Sequence, residues 1–121
     1  MVRRVRVFIM SLALALVVVS TMFVSASIPS GVSCYHGNNN SLKKCYARIE
    51  QSGSTYTIGA QITWQYSGSS SVNYGPRVDT SGAEITSYSD SLRGKTGKSY
   101  GYYYANNIKI HQSSAWMGFS Y

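Results

Sequence analysis

Thr55-Tyr-Thr-Ile-Gly-Ala-Gln-Ile-Thr-Trp-Gln-Tyr66 puts Tyr56, Ile58, Ala60, Ile62, Trp64 and Tyr66 on even positions. The odd positions hold Thr55, Thr57, Gly59, Gln61, Thr63 and Gln65. Alternation this strict, in a run rich in β-branched and aromatic types, predicts a strand with one buried and one wet face. A helical period of about 3.6 residues would scatter Ile62 and Trp64 around the cylinder, so the helix reading fails.

Upstream of that strand, Tyr46 to Gln51 reads as another, turning at Ser52-Gly53-Ser54. Downstream, Ser67 to Ser71 is a polar loop, and Val72, Tyr74, Pro76 and Val78 share one parity. Pro76 cannot donate to a ladder, which assigns that strand to an edge. Asp79 to Gly82 is a turn by composition. Ala83 to Ser89 is a further strand, although Ile85, Tyr88 and Leu92 also fit a short helix. Asp90 to Lys98 reads as a loop. Tyr100, Tyr102, Tyr104, Ile108 and Ile110 all fall on even numbers around Asn106-Asn107, as one bulged strand or a tight hairpin. Ala115, Met117, Phe119 and Tyr121 alternate to the last residue. The fold class is all-β: a small antiparallel β-sandwich or barrel of six to seven short strands.

The start of the chain has a different character. Arg3, Arg4 and Arg6 precede an apolar run from Phe8 to Val24, and Val24-Ser25-Ala26 offers small residues for cleavage. This predicts a signal peptide over 1–26 and one secreted β domain over 27–121. An uncut anchor is the rival, since about 17 apolar residues is the lower limit for a membrane span. Cleavage leaves no stable span and an extracellular or surface-associated product. That product carries eight Lys and Arg against four acids, a net charge of +4. Only 13 of its residues are Leu, Ile, Val or Phe, whereas all 11 Tyr and both Trp lie in it. Rings must therefore supply core that aliphatic side chains do not.

Cys34 and Cys45 enclose ten residues, among them Gly37-Asn38-Asn39-Asn40-Ser41. In an exported chain, two cysteines at this spacing predict one disulfide closing a loop. Two Cys and His36 are an incomplete zinc set, so no metal and no cofactor are expected.

Catalytic signals are thin. Gly94-Lys-Thr-Gly-Lys-Ser99 ends like a phosphate loop, but the position where the first glycine belongs is Leu92 and no helical pattern follows. The acids Asp79 and Asp90 sit in turn-like sequence, and no Gly-x-Ser-x-Gly elbow occurs. The chain reads as a non-enzyme. Two adjacent features point to binding instead: the basic stretch Arg93, Lys95, Lys98, and the rings Tyr100, Tyr102, Tyr103 and Tyr104. On a strand Tyr103 points away from the other three, so each face carries a ring. Charge beside rings suits an anionic polymer, a glycan or a cell surface. Export and a modest charge disfavour nucleic acid. The alternative is a secreted antimicrobial, bacteriocin-like or toxin-like protein; a wall or coat component ranks third. Oligomeric state is open at this level.

Overall fold

From Ile58 onward the alternating stretch forms a central strand of one of two antiparallel sheets, while Thr55 to Thr57 lie before the strand begins. The computed structural model describes residues 27–113 and 115–121, so the predicted leader lies outside the described residues. Nine strands follow in order: β1 (Val32–Asn39), β2 (Lys44–Gln51), β3 (Ile58–Tyr66), β4 (Asn73–Tyr74), β5 (Val78–Thr80), β6 (Glu84–Tyr88), β7 (Thr96–Ala105), β8 (Ile108–Gln112) and β9 (Met117–Ser120). The first sheet has the order β1-β2-β6. The second is centred on β3 and β7, with β4 and β5 on the free side of β3 and β8 and β9 on the free side of β7.

The two sheets enclose one apolar layer. β2 turns Cys45, Ala47 and Ile49 inward, and β3 turns Ile58, Ala60, Ile62 and Trp64 inward. β7 contributes by register: Ala60 stands opposite Tyr103, Ile62 opposite Gly101 and Trp64 opposite Ser99. Side chains alternate on a strand, so Tyr100, Tyr102 and Tyr104 occupy the outer face. Tyr103 alone enters the core, where it is 1% exposed. Its ring lies over Gly101, where a Cβ would come within 2.6 Å of the Tyr103 hydroxyl. The missing side chain at 101 is what gives the ring its seat.

One flank between the sheets is closed by Ser87, whose Oγ donates to Pro76 O and accepts from the Ile62 N–H. The opposite flank is joined by side chains. Tyr103 Oη donates to Tyr35 O, Asn38 Nδ2 to Gly118 O, and Tyr121 Oη to Lys44 O.

Several expectations are corrected here. Residues 34–45 do not form a disulfide-closed loop; they belong to the β1–β2 hairpin, and both thiols are free. Cys34 stands opposite Ile49 and Cys45 opposite Asn38. That stagger is four residues, about 13 Å along the strand, whereas a disulfide joins Cα atoms roughly 4.4–6.8 Å apart. The hairpin register decides against the bond. β2 and β3 do not pair as a hairpin either, but fall in different sheets. Pro76 splits the expected 72–78 strand into β4 and β5, one reason for nine strands rather than six or seven. The 100–110 segment is a hairpin whose two-residue turn, Asn106-Asn107, has φ of 49° and 64°. Two left-handed residues make the turn that matches strand twist, and Asn tolerates them.

Candidate functional site

β7 lays its even residues in a row on the outer face of the second sheet. Tyr100 and Tyr102 meet edge to face, with ring centres 5.4 Å apart. Trp116, just before β9, continues the row at 5.1 Å from Tyr100. Tyr74, opposite Thr63 in the β3–β4 register, flanks it and is 65% exposed.

Cations cover three of these rings. The Arg77 guanidinium lies 3.7 Å from the centre of Tyr104, Lys109 Nζ 5.3 Å from Tyr102, and Lys98 Nζ 5.0 Å from Trp116. Attraction to the ring quadrupole holds each head group in place at an otherwise mobile surface. Arg77 is fixed most firmly: Nη2 donates to Asn107 Oδ1 at 2.7 Å and approaches Asp79 at 3.5 Å. The β7–β8 turn therefore positions a side chain that immediately precedes β5. Lys109 is held additionally by Gln112 Oε1 at 3.4 Å. At the other end of the row, Lys98 joins Gln65, Tyr66, Ser67, Gly68, Ser69 and Gly97 around an open cleft of about 350 Å³.

The predicted residues divide accordingly. Tyr100, Tyr102, Tyr104 and Lys98 come together on the outer face. Lys95 lies over Tyr66, 5.6 Å from its ring centre, beyond the end of the row. Arg93 is exposed in the loop between β6 and β7 and makes no ring contact among the described residues. Tyr103 is core, so it leaves the surface. Arg77, Lys109, Tyr74 and Trp116 join the site from elsewhere in the chain. The strand parity of Tyr74 and Arg77's position next to an edge proline were visible in sequence; their convergence on β7 was not.

Charge is distributed unevenly along the strands. At the end holding the β1–β2 turn and the β6–β7 loop, Lys43, Lys44, Arg93, Lys95 and Lys98 face one acid, Asp90. At the opposite end Arg48, Arg77 and Lys109 are balanced by Glu50, Asp79 and Glu84. All the net charge of residues 27–121 thus sits at one pole, at the end where Lys98 lies.

A second polar cluster lies between the sheets. His36 Nε2 is 2.7 Å from Ser99 Oγ, and His36 Nδ1 is 3.2 Å from Ser113 Oγ. Burial lowers the His36 pKa. Cys34, Tyr103, His111, Trp116 and Met117 complete a cavity of about 370 Å³ beside it. The arrangement suits bracing better than catalysis. Ser99 is fully buried, no carboxylate among the described residues bonds the imidazole, and burial pushes the Cys34 thiol up to about 12. A thiol held protonated is a poor nucleophile and a poor metal ligand. No group of three or more His, Cys, Asp or Glu among the described residues is placed to hold a metal ion.

No known protein family, characterised protein or solved structure matches the chain.

Proposed function

We propose that the chain is an exported, non-enzymatic β-sandwich that binds an extracellular or cell-surface polymer along the outer face of β7. The observation that carries this is the row Trp116, Tyr100, Tyr102, Tyr104, with Lys98, Lys109 and Arg77 lying over three of its rings. A pyranose stacks on a bare ring face, and here three of the four rings in the row already carry a cation. The surface is therefore better suited to carboxylate, sulfate or phosphate groups than to a neutral sugar, and an acidic polymer is the preferred ligand. From Lys98 to Tyr104 the row runs about 20 Å at strand rise, long enough for an extended chain.

Binding of the purified protein to acidic and neutral polysaccharides across a salt series tests this. An acidic polymer should bind and weaken with salt, because exposed charges are screened beyond about 10 Å at 0.1 M. Lys98→Ala/Lys109→Ala should lower affinity and flatten the salt dependence without unfolding the protein, both side chains being exposed. Retention unchanged in that variant would place the site elsewhere. Equal binding of neutral polymers, insensitive to salt, would overturn the preference for acidic ligands.

A further inference from the structure

Edge strands present unpaired N–H and C=O groups to any other strand, and folded chains blunt them with short strands, proline, charge or bulges. Among the described residues, three of the four sheet edges are blunted. β4 and β5 have two and three residues, with Pro76 between them. β8 and β9 are separate short strands, and β8 carries Lys109 and a register shift at Tyr103/Tyr104. β6 has five residues and is tied to Pro76 through Ser87.

β1 has none of these devices. It runs eight residues, Val-Ser-Cys-Tyr-His-Gly-Asn-Asn, in unbroken register with β2, without proline, Asp, Glu, Lys or Arg. Its outward groups follow from the pairing of β2. The Gln51 N–H bonds Ala83 O and the Ser89 N–H bonds Cys45 O, so odd residues of β2 turn their main chain toward β6. Ser52 N–H bonds Gly31 O, so even positions turn toward β1. In an antiparallel ladder this orientation alternates. Main-chain groups of Cys34, His36 and Asn38 therefore point away from β2, and none has a main-chain partner among the described residues.

We propose that β1 pairs antiparallel with β1 of a second copy of this chain, about a twofold axis at His36. Cys34 of each copy then lies opposite Asn38 of the other, and His36 opposite its mate, so one register satisfies the outward main-chain groups of these three residues in both chains. The result is a continuous six-stranded sheet in the order β6-β2-β1-β1-β2-β6. Three observations favour a second copy over a foreign strand. The β1 edge is uncharged, so self-pairing sets no like charges opposite one another. Antiparallel pairing sends the two basic poles in opposite directions. And one unblunted edge per chain is consumed by one partner, which closes the assembly at two. The axis stands perpendicular to the shared sheet, so both β7 rows face the same way, as a bivalent surface.

Sedimentation and amide hydrogen exchange on the purified protein test the proposal. A dimer is expected, with the amides of Cys34, His36 and Asn38 exchanging faster on dilution. Tyr35 is 40% exposed on the outer side of β1, so Tyr35→Lys places like charges diagonally across the axis without entering the core. Tyr35→Lys and Tyr35→Glu should each be monomeric, and mixing the two should restore the dimer. A wild-type monomer at the highest soluble concentration, a larger assembly, or a dimer that survives both substitutions would overturn it. Should either variant fail to fold, exchange at Cys34, His36 and Asn38 that ignores concentration in the wild type would do the same.

Discussion

His36 sits where a charge is least welcome, between two serine hydroxyls and the inner faces of two sheets. In the unfolded chain its ring titrates near the ordinary value of about 6.5. In the fold, desolvation lowers that value. Above about pH 6.5 the ring is neutral in both states and the His36 contribution to stability is fully present. As pH falls below that value the unfolded chain takes up the proton first, and the contribution is lost toward the lowered folded pKa. Melting temperature should therefore drop between about pH 7.5 and pH 5.5, and His36→Gln should remove most of that drop. A pH response identical in the variant would place the titrating group elsewhere.

Among the elements, β7 shows how a strand decides which of its faces is core. Gly101→Ala drives a methyl against the Tyr103 hydroxyl, which is anchored on Tyr35 O. Overpacking of this kind costs about 1–3 kcal/mol, so thermal unfolding of the variant should begin several degrees lower. A melting curve matching wild type would mean that the ring has room to move. The same strand marks the limit of what sequence could tell. Alternation over 55–66 disclosed β3 and its inward face, because Ile62 and Trp64 have no tolerable place in water. Parity separated Tyr103 from its neighbours, but it could not say which side was inside: all four are tyrosines, and the choice rests on Gly101 below the ring and Ala60 opposite. β1 was hidden for another reason. His-Gly-Asn-Asn carries the composition of a loop, and its extended form comes from pairing with β2 and from the tyrosine ring of Tyr46 filling the space over Gly37. The cysteine spacing misled because it reports loop length and not register.

For the molecule as a whole, Cys45 is a reporter of global opening. It is fully buried in the layer shared by both sheets, and burial raises its pKa. Thiol reagents should leave it unmodified in the native protein and label it at a rate that follows denaturant-induced unfolding, while intact mass is the same with and without reductant. Rapid native labelling of Cys45, or a mass difference of two hydrogens on reduction, would contradict the two-sheet core. The placement of charge has a consequence for approach as well as for contact. With cations in excess at one end and a balanced set at the other, each chain carries a dipole moment along its strands. In the field of a polyanion such a body rotates before it touches, so diffusional encounters begin at the Lys98 end and are steered rather than random. Association rate, more than dissociation rate, is then the quantity that ionic strength controls.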